Sequence, residues 1–258
     1  MNTQENSSKL NDTALGLIGV IALFAIWEIV SYTGIISQEI FPSPSQAVTA
    51  TLTTMPLSEI GGHVWASLTR VFWGFLIGGS LGIIVGVASG WYAWVGVLTR
   101  PLIELTRPIP PLAWIPMAII WLGLGEPSKI FVISLGAFFP VVTSAYKGMI
   151  SVDPVLLRAA QTMGLKGWRI LFQVALPASL PDLATGIRIG WGLSFGMLVA
   201  AELVAANEGM GFMIMHAREL GQVGIIIFGI VLIGVVNLVT DYAIGVVIRR
   251  QIGKWHTY

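Results

Sequence analysis

Roughly six stretches of this chain are apolar for about twenty residues each, the length that crosses a hydrocarbon layer as a helix. They run near 14–36, 64–90, 98–123, 130–150, 183–206 and 224–248. Nothing in lipid can satisfy a stray backbone N–H or C=O, so such a chain must span as helices that bond internally. Composition points the same way: 55% of residues are apolar and 10% charged, with mean hydropathy +0.82. Soluble domains carry about 25% charged residues. The expectation is an all-α membrane protein of about six transmembrane helices: one membrane domain over 14–258 behind a polar tail at 1–13. The first stretch is too long for a signal-peptide core, and no small-residue cleavage site follows it, so it reads as a retained span. A net charge of +1 argues against a nucleic-acid partner, and the lack of cysteine excludes disulfides and Cys-based metal sites.

Between the fourth and fifth stretches lies a polar, helix-coded connection at about 151–182, far longer than a turn needs. Asp153 suits an N-cap and Pro154 the first helical position. Val155, Leu156, Ala159, Ala160 and Met163 recur at helical spacing as one apolar face, with Arg158, Gln161 and Thr162 largely opposite. The small pair Ala159-Ala160 permits close approach of a partner. Gly164 can end the helix in a left-handed turn. A second short helix is expected through Trp168, Arg169 and Phe172, stopping at Pro177. Pattern alone leaves two readings open: a segment gripped by a partner, or an amphipathic linker on the membrane surface.

The run Arg158-Ala159-Ala160, three residues, Gly164, nine residues, then Val174-Ala175-Leu176-Pro177 resembles the EAA loop of binding-protein-dependent ABC importer permeases. In that family the pattern is Glu-Ala-Ala, then Gly, then Ile-x-Leu-Pro at these spacings. Val174 for Ile is trivial. Arg158 for Glu reverses a charge, so any ion pair of the family's Glu does not carry over. The resemblance runs from Phe41-Pro42-Ser43-Pro44 to Lys254-Trp255-His256. It is strongest over 104–114 and 200–206, where the chain is similar to the taurine, alkanesulfonate, nitrate and bicarbonate branch. By resemblance, Asp153, Pro154, Arg158, Ala159, Ala160, Gln161, Gly164 and Leu165 couple to an ATPase.

Loop charge orients the chain independently of the family. With the N-terminus inside, one side holds Lys9, Arg100, Lys147, Arg158, Lys166, Arg169, Arg249, Arg250 and Lys254. The other holds Lys129 and Arg218, with Arg70 as a third if the second span starts late. This puts the insert and both termini in the cytoplasm of a multi-pass protein of the bacterial inner membrane.

Gly78, Gly82, Gly86 and Gly90 form a smooth stripe on the second span, and Gly186 and Gly190 repeat it on the fifth. Packing within one subunit is preferred over a dimer seam. The third span is broken by Pro108, Pro110, Pro111 and Pro116. Freed carbonyls at membrane depth need protein or a watery cavity, so Pro110 and Pro111 are placed on the pathway, with Trp114 beside them. Arg107, just before the break, has three readings: it attracts an anion, pairs with Glu104 at a gate, or snorkels to the interface. Arg188 is read as a snorkelling residue. Among the acids near spans, Glu202 ranks first as a pathway or gate residue. Glu28 fits peripheral packing or a partner contact, and Asp241 is near enough to Arg249 to pair. Trp65, Trp73, Trp91, Trp94, Trp121 and Trp255 read as interfacial anchors. The loop 207–212 is flexible by composition, and reads equally as a turn or a contact for a delivery protein.

No catalytic set is visible. Residues 123–129 lack the order of a phosphate loop, and His63, His216 and His256 lack metal-ligand spacing. The chain is therefore expected to be no enzyme and to bind no cofactor or metal. ATP and Mg belong to partner subunits. The resemblance implies a permease working by alternating access, with a second copy of itself, two ATP-binding cassette subunits, an external substrate-binding protein and the lipid bilayer as partners. Its expected cargo is a small oxyanion, taurine or another alkanesulfonate first, with nitrate, bicarbonate and thiamine-precursor cargos behind. A self-contained secondary transporter and a membrane enzyme are the weaker alternatives.

Overall fold

Local capping and proline placement set the helix boundaries. The computed structural model describes residues 2–34 and 37–252, and its elements are helical throughout that range. In order they are α1 (Asn2–Tyr32), α2 (Pro44–Thr54), α3 (Leu57–Trp91), α4 (Ala93–Thr106), a 3-10 turn (Pro111–Trp114) and α5 (Ile115–Leu122). There follow α6 (Glu126–Ile150), α7 (Pro154–Thr162), α8 (Trp168–Ile170), a π turn (Leu171–Ala175), α9 (Leu176–Ala205), α10 (Met210–Glu219) and α11 (Val223–Ile252). The end of the first expected span at Ile36, and Lys254, Trp255 and His256, lie outside the described residues.

Among the described residues, four helices are long and apolar enough to cross a membrane: Leu57–Trp91, Glu126–Ile150, Trp168–Ala205 and Val223–Arg250. Shorter apolar helices cover Ile18–Tyr32 and Pro111–Leu122. The expected third span is thus not one helix. It stops at Thr106 and resumes only at Pro111, because Pro108, Pro110 and Pro111 cannot donate and Pro111 holds Pro110 in an extended conformation.

The chain forms two compact units. One comprises 1–61 and 213–232. Here Ser43 caps α2 in a reciprocal capping box. Its hydroxyl accepts from the Gln46 N–H at 3.3 Å, and the Gln46 side chain accepts from the Ser43 N–H at 3.0 Å. The Glu28 carboxylate of α1 joins that helix start, accepting from Ser43 Oγ at 3.1 Å and the Ser45 N–H at 3.2 Å. A negative charge suits a helix N-terminus. Met213, Ala217 and Ile225 form a small core with Met55, Phe228 and Leu232.

The other unit comprises 62–212 and 233–258 and is organised around α6. The share of its apolar window buried is 56%, against 33% for α3, 39% for the helix that includes α9 and 11% for α11. Two glycine-lined faces let neighbours approach it. A Cβ on Gly82 would lie 3.0 Å from the Phe138 carbonyl, and one on Gly86 2.6 Å from the Val142 carbonyl. Gly78 and Gly90 meet Ser134 and Met149 in the same way. From the other side, Gly186 and Gly190 of α9 abut Pro140, Ser144 and Ala137. Both stripes therefore serve packing inside one chain. Between them, Val141, Ala145 and Leu183 are buried with Ile83, Val87 and Ile187. Towards the α6 N-terminus, Val132 packs with Ile115 and Ala118 of α5.

Candidate functional site

The insert begins as its sequence implies. The Asp153 side chain accepts from the Val155 N–H at 2.7 Å and caps α7. At the other end Gly164 adopts φ +85°, the Leu165 N–H donates to the Ala160 carbonyl at 3.1 Å, and the Gly164 N–H to the Gln161 carbonyl at 3.0 Å. This is a Schellman close.

Its apolar residues divide differently from the expectation. Leu157 is half-buried against Met149, Val152, Leu171 and Ala175 and Ala160 is buried, whereas Val155, Leu156, Ala159 and Met163 are exposed beside Arg158, Gln161 and Thr162. A helix of nine residues resting on a core commits only a narrow stripe to it, so Leu157 marks the contact and Val155, Leu156 and Met163 are left free. Met163 is 82% exposed and Trp168 64%.

The expected stop at Pro177 does not occur. The chain passes from α8 through a π turn, in which the Leu176 N–H reaches back to Leu171, and continues as α9 to Ala205. The missing proline N–H falls just past that widened turn, at the start of α9. The second part of the insert and the fifth span are therefore one continuous rod from Trp168 to Ala205.

The broken third span opens onto cavities along α6. One of about 500 Å³ is lined by Ser89, Arg100, Glu104 and Tyr146. The same residues, with Arg107 and Thr143, line a second of about 190 Å³. Arg107 and Thr143 in turn line a third of about 340 Å³, with Pro111, Phe139, Ser144 and Met197. The shared walls make a polar-to-apolar sequence with Arg107 at its junction. Glu104 does not pair with Arg107; Arg100, one turn earlier on the same helix, takes it at 3.5 Å. Arg107 keeps no carboxylate within ion-pair distance among the described residues. Of the other expected pathway residues, Pro111 lines the third cavity. Trp114 does not; its ring lies 6.2 Å from that of Trp121. Pro110 is exposed at the break and is absent from that lining.

Glu202 also lies away from these cavities. It is 1% exposed and accepts from Arg70 Nη1 at 2.7 Å, Ser67 Oγ at 2.8 Å and the Gly211 N–H at 2.8 Å. Arg70, equally buried, reaches Glu126 with two parallel bonds of 2.7 and 2.8 Å, and donates to the Glu208 carbonyl at 2.6 Å. Lys129 completes the set by donating to Glu126 at 2.8 Å. The loop 207–212 is consequently fixed rather than loose: Met210 N–H donates to Ser67 Oγ at 2.8 Å and Gly209 N–H to His63 Nδ1 at 3.1 Å. Gly209, at φ +118°, lies against both Glu202 and Arg70, so a side chain there has no room. The sequence offers Arg70 as a loop charge or a residue of the entry turn of the second span, whereas it lies within α3, where His63, Ser67 and Arg70 share one polar face. Elsewhere, Asp241 pairs with Arg188 at 2.6 Å rather than with Arg249, so Arg188 is partnered rather than snorkelling.

Comparison with known proteins agrees with this geometry. Residues 78–253 match the family described as binding-protein-dependent transport system inner membrane component. The chain is 38% identical over 245 residues to the taurine transport system permease protein TauC of Escherichia coli K12, covering 93% of this chain and 89% of that one. It is 35% identical over 243 residues to a putative aliphatic sulfonates transport permease protein of Bacillus subtilis, covering 93% and 87%. To the bicarbonate transport system permease protein of Synechococcus elongatus it is 33% identical over 245 residues, covering 90% and 87%. A structure of the MetNI methionine ABC transporter in an inward-facing conformation shares the fold, with TM-score 0.60 and 22% identity over 73% of this chain and 94% of that one. The chain thus belongs to the binding-protein-dependent family of inner-membrane transport components.

Proposed function

We propose that this chain is the permease subunit of an ATP-driven importer and forms the path for a small oxyanion, taurine or another alkanesulfonate first. The observation that carries the reading is the insert. The capped helix α7 rests on the core through Leu157 and offers Val155, Leu156 and Met163 outward; past the turn at Gly164 the rod that begins at Trp168 exposes Trp168 and Phe172 and continues as α9. Exposed apolar residues on an ordered helix outside the spans suit a partner cleft. On this reading the outward face of Arg158, Ala159 and Gln161 meets an ATP-binding cassette subunit in the cytoplasm. Two copies of the permease enclose one path, and an external binding protein delivers the cargo. ATP and Mg act on the cassette pair. This chain contributes no catalysis and binds no cofactor.

ATP-driven closure of the cassettes would tilt the insert and swing the rod attached to it, which opens and closes the groove along α6. Arg107, left without a carboxylate, draws the anion in. The similarity to taurine and sulfonate permeases favours sulfonate cargo. Nitrate or bicarbonate is the second reading, favoured by the likeness to a bicarbonate permease.

Deleting residues 154–165 tests the coupling. The expected result is a chain that still inserts but no longer co-purifies with its cassette subunit. Recovery of the complex at normal yield would overturn the reading.

A further inference from the structure

The third cavity has two chemically different sides. Arg107 supplies a full positive charge, and no carboxylate lines the space; Glu104 belongs to the next cavity. Elsewhere on its wall stand neutral oxygens. Pro140 sits inside α6 and has no N–H, so the Gly136 carbonyl loses the donor it would bond one turn on. Gly136 and Pro140 both line the cavity. A carbonyl freed at membrane depth persists where a cavity or its contents satisfy it. One turn further, the half-buried Ser144 hydroxyl also lines the cavity and makes no hydrogen bond to another described residue. Thr143 beside it donates to the Phe139 carbonyl at 2.8 Å and keeps its lone pairs free. Leu135, Phe139, Leu193 and Met197 form the apolar remainder.

We infer that this cavity selects a zwitterion, an amino-alkanesulfonate such as taurine, over a sulfonate that lacks the amine. Arg107 takes the sulfonate, and the Gly136 carbonyl and Ser144 hydroxyl take the ammonium. Backbone carbonyls left without a helical donor hold cations in other transporters. A plain alkanesulfonate would leave both oxygens facing apolar walls without a donor, and sites built around such a bond reject the analogue that lacks it. The inference rests on the reading of the chain as a sulfonate importer and adds a selective step inside the permease itself.

The test uses the complete importer in proteoliposomes with its binding protein, and compares uptake of taurine and of ethanesulfonate. Each is held at a concentration that saturates the binding protein, so the permease step is what differs. Ser144→Ala and, separately, Pro140→Ala, which restores the missing N–H, are expected to lower taurine uptake about tenfold and to leave ethanesulfonate within about twofold. Arg107→Ala is expected to lower both. Ser144→Ala keeps its Cβ against Gly186, so its packing is retained if the proline variant misfolds. Equal loss of both sulfonates in Ser144→Ala, or no change in either, overturns the ammonium site while the importer reading stands. Failure of the unaltered importer to move either sulfonate overturns both.

Discussion

Arg70 of α3 and Glu202 in the last turn of α9 are 2% and 1% exposed and 2.7 Å apart, each on a helix that is otherwise largely apolar. A buried charge is tolerable only while its partners are present. Glu202→Ala leaves Arg70 with Glu126 and the Glu208 carbonyl but removes the acceptor for the Ser67 hydroxyl and the Gly211 N–H. The expected loss is about 3–5 kcal/mol, read as a fall in unfolding temperature of the purified protein in detergent. Replacing the pair together, Arg70→Met with Glu202→Leu, is expected to recover much of that loss, because neither charge is then stranded. A double variant no more stable than Glu202→Ala would mean that the pair is more than a balance of charges. None of this network is a property of one position. Glu202 was conspicuous in the sequence as an acid in a span, but its partner lies 132 positions away, a distance along the chain that no local pattern measures.

Helices α3 and α9 approach α6 on glycine, and adjacent residues of α3 separate contact from composition. A Cβ on Gly78 would collide with the Ser134 backbone, while one on Gly79 would meet nothing closer than 3.6 Å, on the Phe75 ring. Gly78→Ala is therefore expected to cost about 1–3 kcal/mol through overpacking. Gly79→Ala should lie within about 1 kcal/mol of the parent, because alanine is the better helix former. Thermal unfolding of the two variants side by side checks the difference, and equal behaviour would contradict the packing. The four-residue glycine repeat, the cap at Asp153 and the turn at Gly164 were legible because each depends on residues within one or two helical turns. The continuation through Pro177 was not. Proline normally marks a boundary, and only a widened turn upstream, which no residue type specifies, lets the helix proceed. The apolar face of α7 was misread for a related cause. Periodicity identifies which residues share a face, whereas the surface that α7 rests on, at Met149, Val152, Leu171 and Ala175, comes from the helices on either side of it.

The whole molecule carries its basic loop residues mainly at the insert end, and the reading advanced above puts that end in the cytoplasm. Since the chain has no cysteine, single cysteines can report on orientation without removing others. Met163 is 82% exposed at the insert, and Glu208 is exposed beyond the far end of α9. With intact cells and a membrane-impermeant maleimide, Glu208→Cys is expected to be labelled and Met163→Cys to be protected until the cells are opened. The reverse pattern would invert the topology and leave the insert out of reach of any cytoplasmic partner.

The uninterrupted rod has a mechanical consequence. The 30 residues of α9 alone measure about 45 Å at a rise of about 1.5 Å per residue. A tilt of about 5° at the Leu176 end therefore moves Glu202, about 39 Å away, by about 3 Å, the length of a hydrogen bond. Small angular work by a motor at one surface becomes a displacement large enough to break and remake contacts at the other.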